Sequence, residues 1–259
     1  MKTGGTRKVW VIAIALVVLS EFLVGFTAAE ETAEPKPVPV LMYHDVAAED
    51  SDYTMSEARF RRQLQALELL GYETVSFRQV LDYTDGKGDL PEKPVILLSD
   101  DGYTGVLTTA LPVLEEMDFC MTVAVIGELL GADGGDHPHF SLEELAAADP
   151  NSRIELVSHS HSLHRMTEEM TGAVNLTMEE DRYAELLRSD CEAMAALSEA
   201  HPMLQEVFVY PFGAYSPESE AILAELGIRA TVTTDIGTAE VTPGEGLTLL
   251  PRVMVEWIR

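Results

Sequence analysis

Segments typical of buried strands alternate with segments typical of amphipathic helices, and this alternation restricts the fold more than any other feature of the chain. Within residues 56–71, for example, Phe60, Leu64 and Leu67 recur at helical spacing. Alternation of this kind predicts parallel strands joined by helical crossovers. We therefore expect a single α/β domain in which about seven strand–helix units close, or nearly close, a parallel sheet into a TIM-like barrel.

The predicted strands are one that ends at His44, one that begins at Glu155, and residues 73–76, 94–98, 120–126, 207–210, 228–233 and 247–255. The predicted helices cover residues 56–71, 104–117, 141–148, 178–200 and 216–226, together with one that contains Val80 and Leu81. Active sites of such barrels lie at the carboxyl ends of the strands. The residues that follow these strands are therefore the first candidates for a functional site.

Two adjacent aspartates end one of these strands. Asp100 and Asp101 follow the apolar run 94–98 and precede Gly102. Because side chains alternate between the two faces of a strand, we expect the two carboxylates to project to different sides of one pocket. One of them could then hold a metal ion and the other a water molecule. Asp-Asp-Gly is also a common turn composition, so the pair alone is weak evidence and is more typical of a solvated loop.

A cluster of histidines follows the strand that begins at Glu155. His159, His161 and His164 are three of the seven histidines of the chain and fall within six positions. A catalytic zinc site takes three protein ligands, and imidazole is a common one. Asp101 and two of these histidines would complete such a set. His159 and His161 share a face if the strand continues, whereas His159 and His164 converge only if the chain turns between them. The spacing leaves both pairs open.

The aspartate pair and the histidine cluster resemble the first two motifs of the polysaccharide deacetylase family (NodB-like, carbohydrate esterase family 4). Ser99-Asp100-Asp101-Gly102 resembles the family's Thr-Phe-Asp-Asp-Gly, and 159–164 resembles His-Thr-x-x-Leu-His of an exported branch that deacetylates poly-N-acetylglucosamine and related polymers. Residues 38–46 and 122–127 are similar to strands of the same branch. The resemblance covers about residues 38–255 and implies a distorted (β/α)7 barrel, the NodB-homology domain.

The resemblance also implies a reaction, which is hydrolysis of N-acetyl groups on an amino-sugar polysaccharide. In it Asp101, His159 and His164 would hold a divalent metal ion, with zinc as the expected one, and His161 would be a variable position. Asp100 would accept the proton of the attacking water.

Two residues of the family pattern are missing. The third motif, Arg-x-Pro-Tyr, has Val209 in place of its arginine, and Arg252 in the last strand could reach the catalytic aspartate from another direction. The closing Leu-x-His, whose histidine protonates the leaving amine in typical members, is also absent. His44 is the remaining candidate, either as the acid or as the hydrogen-bond partner of an acid, although it could instead be a packed structural residue.

Four residues are candidates to bind the sugar. Pro211, Phe212 and Tyr215 belong to the third motif, and Tyr103 follows the aspartate pair. Phe212 and Tyr215 could instead be core aromatics, and Tyr103 could pack a helix. The resemblance further implies that a backbone N–H near Phe212 and Gly213 binds the oxyanion.

The charge of the chain restricts its partners. It contains 44 acidic and 17 basic side chains, a net charge of −27. Such a surface repels nucleic acid and anionic lipid headgroups. A neutral or amine-bearing glycan is a better substrate than an acidic polymer, so the expected partner is an N-acetylated glycan and not a nucleic acid.

The N-terminus is typical of an export signal. Three basic residues, Lys2, Arg7 and Lys8, precede the apolar stretch 9–19. Residues 1–29 are therefore expected to be a cleaved signal or, since 9–29 is about long enough to span a bilayer, a membrane anchor. Residues 30–39 form a predicted linker and 40–259 the deacetylase domain, working in secreted form or at the cell envelope. Cys120 and Cys191 could form one disulfide there.

Two other functions remain open. The missing arginine and the missing closing histidine favour a catalytically weak or inactive glycan-binding protein on the same fold. A metal-dependent hydrolase of another acyl group, such as an O-acetyl ester, would also have this fold.

Overall fold

A computed structural model describes residues 34–51, 53–135 and 137–255. In these ranges the strands are β1 (Lys36–Val38), β2 (Val40–Tyr43), β3 (Asp45–Ala47), β4 (Thr54–Ser56), β5 (Glu73–Thr74), β6 (Pro94–Asp101), β7 (Met121–Val125), β8 (Ile154–Ser158), β9 (Met170–Thr171), β10 (Val174–Asn175), β11 (Val207–Val209), β12 (Ala230–Ile236), β13 (Ala239–Val241) and β14 (Leu247–Met254). The α-helices are α1 (Glu57–Leu69), α2 (Phe77–Thr84), α3 (Leu111–Met117), α4 (Leu142–Ala148), α5 (Glu180–Ala195) and α6 (Pro217–Glu225).

Seven parallel strands form a closed barrel. Their order around the ring is β2, β14, β12, β11, β8, β7 and β6, and β2 pairs again with β6 to close it. Each helical crossover returns the chain to the amino end of the sheet, which makes neighbouring strands parallel. The predicted (β/α)7 barrel is therefore confirmed.

Side chains along each barrel strand alternate between the barrel interior and the outer face that the helices cover. One apolar cluster takes residues from all seven barrel strands, among them Val40, Ile96, Ala124, Val157 and Val232, as the interior of a barrel requires. The opposite faces of the same strands pack against the helices. Leu97 and Val123, for example, join Phe60 and Leu64 of α1, and Phe208 joins Tyr183 and Leu187 of α5.

Several short strands lie outside the ring and had no predicted counterpart. β1 lies within the segment 30–39 that the sequence indicates as a linker, and it pairs antiparallel with β13, where Val38 is buried. β3 pairs with β4, and β9 pairs with β10. β5 also lies outside the ring, but it was predicted, and it pairs with the start of β6. Strands of two or three residues are too short to produce a recognisable alternation of apolar and polar positions.

The predicted signal or anchor, residues 1–29, lies outside the described residues. Among the residues that the structure describes, no helix is both long and apolar enough to cross a membrane. Cys120 and Cys191 are both thiols and do not form the disulfide that the sequence allows. Burial raises the pKa of each thiol, so both stay protonated at neutral pH.

Candidate active site

The barrel gathers the predicted site residues at the carboxyl ends of its strands. Asp100 and Asp101 are the last residues of β6, His159 directly follows β8, and His44 directly follows β2. A short 3-10 turn, Pro211–Gly213, comes one residue after β11. This clustering is the arrangement that a parallel barrel imposes on residues following its strands.

Asp101, His159 and His164 converge on one point. Asp101 Oδ1 lies 3.6 Å from His159 Nε2 and 3.6 Å from His164 Nε2, and one ligand atom from each residue lies within 4.8 Å of the others. Asp101 Oδ1 is buried and has no hydrogen-bond partner among the described residues. A buried carboxylate oxygen without a donor is costly, and a cation between the three side chains would remove that cost. The donor set of two imidazoles and one carboxylate therefore fits a divalent metal ion.

Hydrogen bonds to the backbone orient His159 for this role. Its N–H donates to the Val125 carbonyl at 2.9 Å, which holds it at the end of β8. Its ring Nδ1–H donates to the Val209 carbonyl at 2.7 Å. Since a carbonyl can only accept, Nδ1 carries a proton, and Nε2 is the ring nitrogen that faces Asp101.

The backbone turns sharply on both sides of the cluster. Asp101 has φ +73° and Ser160 has φ +67°, both in the left-handed region that residues other than glycine rarely adopt. The turn at Ser160 ends the strand directly after His159, so that His164, and not His161, returns to face Asp101. Of the two histidine pairs that the spacing left open, His159 and His164 are thus the pair that converges on Asp101.

Asp100 faces the barrel interior and pairs with Arg252. Arg252 Nη1 donates to both carboxylate oxygens, at 2.8 and 2.7 Å, and its Nε donates to the Thr233 carbonyl at 2.6 Å. Asp100 is 3% exposed and Arg252 is 1% exposed. Burial acts to raise the pKa of Asp100, but the Arg252 guanidinium, with smaller contributions from His159 and His44, outweighs it and holds the pKa below its ordinary value. Asp100 is therefore ionised at neutral pH.

Replacing Arg252 by methionine is expected to lower the free energy of unfolding by about 3–5 kcal/mol at neutral pH, because it leaves the Asp100 charge buried without a partner. The pKa of Asp100 is lowered by folding, so the ion pair stabilises the fold above the unfolded-state pKa, and this contribution is lost as the pH falls through the folded-state pKa. Urea unfolding of the parent and of Arg252→Met, at neutral pH and below about pH 4, should show a difference that narrows in acid.

The exposed pair of Arg188 and Glu225, with nitrogen and oxygen 3.0 Å apart, provides the control. Arg188→Met should cost less than about 1 kcal/mol. Equal losses in the two variants would contradict the importance of the buried pair.

A loop that the sequence analysis missed covers the aspartate turn. His139 Nδ1–H donates to the Asp101 carbonyl at 3.1 Å, and the rings of His139 and His137 lie 4.8 and 5.6 Å from the ring of Tyr103. His137 Nδ1 lies 3.4 Å from the carboxylate of buried Asp45. The only available signal was the close spacing of the two histidines around Pro138, since this glycine-rich loop has no periodic pattern.

The aromatic candidates lie at the edge of the site. Phe212, with φ +60°, stacks its ring 4.4 Å from the ring of His164 and is 40% exposed. Tyr215 is 37% exposed and donates its hydroxyl to Asp235 at 3.2 Å. Their exposure fits a cleft wall better than a core. Tyr103 is half-buried, and burial together with the negative charge of Asp101 raises its pKa, so its hydroxyl stays protonated.

The turn after β11 restricts which backbone N–H can bind an oxyanion. Pro211 is buried, and the Gly213 N–H donates to the Tyr210 carbonyl at 2.8 Å. A Cβ at Gly213 would lie 2.0 Å from Thr234 Oγ1, so no side chain fits at this position. The Gly213 N–H is thus used within the turn, so the N–H of the neighbouring Phe212 is the candidate oxyanion donor.

His44 is partly buried, and its ring lies 5.7 Å from the ring of Tyr53. It directly follows Tyr43, which pairs with Ser99, and its carbonyl accepts the Ser99 hydroxyl, so His44 lies near the aspartate pair. Asp100, Arg252 and His44 thus lie around one end of the barrel together with the three candidate metal ligands.

Comparisons with known proteins agree with this geometry. The family profile described as "Polysaccharide deacetylase" matches residues 87–231. The chain is 26% identical to the Bacillus subtilis protein YxkH over 226 residues, which are 87% of this chain and 74% of that protein. It is 27% identical to the poly-beta-1,6-N-acetyl-D-glucosamine N-deacetylase of Escherichia coli, with 83% of this chain aligned and about a third (36%) of that protein covered.

The structure of IcaB from Ammonifex degensii superposes with a TM-score of 0.71 at 26% identity, covering 86% of this chain and 93% of that one.

Proposed function

Since this chain belongs to the polysaccharide deacetylase family, we propose that it is a metal-dependent hydrolase that removes N-acetyl groups from poly-N-acetylglucosamine or a related amino-sugar polysaccharide outside the cytoplasm. The observation that carries the proposal is the cluster of Asp101, His159 and His164 beside the ionised carboxylate of Asp100. The predicted export signal at residues 1–29 supports the extracytoplasmic location.

Asp101, His159 and His164 would hold a divalent ion, and zinc is the expected one for two imidazoles and a carboxylate. The unsatisfied Asp101 Oδ1 and the protonated Nδ1 of His159 support this assignment. When bound, such an ion lowers the pKa of water and polarises an amide carbonyl.

Asp100 would act as the general base. Its carboxylate takes a proton from water as the water oxygen bonds to the acetyl carbon. Arg252 contacts both of its oxygens, which keeps the carboxylate ionised and restricts its rotation. The family pattern has an arginine at the position of Val209, and that arginine orients the catalytic aspartate. Arg252 would do so in this chain. This compensation favours an active enzyme over a binding protein.

His44 would supply the proton of the leaving nitrogen. As the carbon–nitrogen bond breaks, the nitrogen takes a proton and leaves as an amine, and acetate is the other product. The position of His44 after β2, which pairs with the strand that ends in the aspartate pair, supports this role. Phe212, Tyr215 and Tyr103 would contact the sugar rings, and the Phe212 N–H would stabilise the oxyanion.

Acetate release from a panel of glycans tests the proposal. We expect the purified domain with zinc to release acetate from N-acetylglucosamine oligomers and to lose this activity after chelation. An O-acetylated oligomer with free amines should be a poor substrate. Binding of the N-acetylated oligomer without acetate release would favour the glycan-binding alternative, and preferential release from the O-acetylated one would favour an esterase.

A further inference from the structure

Asp190 is a charged residue at an apolar position of α5. The buried residues of this helix are Tyr183, Leu187, Asp190 and Met194, at the spacing of a core-facing stripe. Asp190 is 4% exposed. Burying a carboxylate is costly unless hydrogen bonds satisfy it, so this position needs an explanation other than packing.

The carboxylate of Asp190 is satisfied by the loop that separates the two candidate histidine ligands. Its Oδ2 accepts the His161 N–H at 2.7 Å, and its Oδ1 accepts the Ser162 N–H at 2.7 Å and the Ser162 hydroxyl at 3.1 Å. The acidic side chain thus binds the midpoint of the segment between His159 and His164, although it lies on a separate helix.

The carbonyl groups of the same loop are held from the opposite side. The Gly127 N–H donates to the Ser160 carbonyl at 3.1 Å, and the Glu128 N–H donates to the His161 carbonyl at 2.9 Å. A Cβ at Gly127 would come within 2.6 Å of the His161 ring, so a larger residue would have to displace this ring. The loop is therefore fixed through both its N–H and its carbonyl groups.

His164 depends on this loop more than His159 does. Backbone hydrogen bonds to β7 and β11 hold His159 directly. His164 lies four residues beyond the left-handed turn at Ser160, and its ring contacts are with Asp101, His159 and Phe212, which belong to the site itself. The conformation of the intervening loop therefore sets where the His164 ring lies.

We propose that Asp190 is a positioning residue for metal binding, which holds the loop 160–163 in the conformation that brings His164 opposite Asp101. The inference rests on the metal site of the proposed function. Asp190 contacts neither the substrate nor the reacting atoms in this role. It acts by fixing two peptide N–H groups, as outer hydrogen-bond partners of metal ligands do in other sites.

Zinc affinity measured by chelator competition tests this role. We expect Asp190→Asn, which keeps one acceptor oxygen, to bind zinc about 10-fold more weakly than the parent, and Asp190→Ala to bind it about 100-fold more weakly. The absorption bands of bound cobalt should shift in Asp190→Asn, because displacement of His164 changes the ligand geometry.

Glu155 provides the matched control. It also accepts two backbone N–H groups, from Phe77 at 2.7 Å and Arg78 at 3.1 Å, but near the amino end of β8. Glu155→Gln should lower thermal stability and leave zinc affinity and the cobalt spectrum unchanged.

The outcomes separate this inference from the proposed function. If the parent does not bind zinc, the metal site itself is wrong. If the parent binds zinc and both Asp190 variants bind it equally well, the role of Asp190 is wrong and the proposed function stands. Should Asp190→Asn fail to fold, Ser162→Ala decides, because it removes only one of the three hydrogen bonds. It should weaken zinc binding about twofold or more, and unchanged affinity would overturn the inference.

Discussion

Asparagine in place of Asp100 is expected to lower acetate release from an N-acetylglucosamine oligomer about 10³-fold, while the zinc affinity stays close to that of the parent. The amide cannot accept the proton of the attacking water at neutral pH, whereas Asp101, His159 and His164 still provide the metal ligands. The loss should appear in kcat, since the change removes an interaction of the transition state. Steady-state kinetics and zinc titration on the same preparation measure both effects.

Asp118→Asn is the matched control for this substitution. Asp118 is an exposed residue with φ +56° at the end of α3, a conformation that asparagine tolerates well, so this variant should retain full activity. Because Asp100→Asn leaves the Arg252 charge without its partner, its folding should be verified by urea unfolding. A folded Asp100→Asn enzyme with more than about a tenth of the parental kcat would exclude Asp100 as the general base.

Alanine in place of Asp101 is expected to abolish stoichiometric zinc binding and to reduce acetate release to background. Only the two imidazoles would remain, too few for a catalytic zinc site. Zinc at 100 times its dissociation constant should stabilise the parent by about 2.7 kcal/mol and should not stabilise the variant.

His161→Ala is the control for the metal prediction, since His161 lies in the same loop but outside the cluster. It should bind zinc with an affinity close to that of the parent. Thermal unfolding with and without zinc, together with metal analysis, compares the two variants. An Asp101→Ala protein that still binds one zinc ion and is stabilised by it would place the metal elsewhere.

The barrel could be predicted from the sequence because each strand–helix unit has a local pattern. Ser141 and Glu144, for example, form a capping box at the start of α4, one of the predicted helices. Asp100 and Asp101 have different partners, Arg252 for the first and the two histidines for the second. The exposure of Phe212 and Tyr215 could not be predicted from the sequence, because an aromatic residue after a strand can equally lie in the core or at the surface.

Contacts between distant segments account for what the sequence alone left open. The choice of His164 over His161 depends on the turn at Ser160 and on Asp190, which lies 28 or 29 residues away along the chain from the groups that it binds. The approach of His139 to Asp101 depends on a loop without periodicity. No local pattern carries such information, since it arises only when the ring of strands closes.

The pairing of Asp100 with Arg252 joins residues 152 positions apart, on β6 and on the last strand of the ring. During synthesis, a ribosome-bound chain will have exposed Asp100 long before Arg252 emerges. In the proposed mechanism the general base is therefore incomplete until β14 joins the barrel, and a chain that ends before Arg252 is expected to release no acetate.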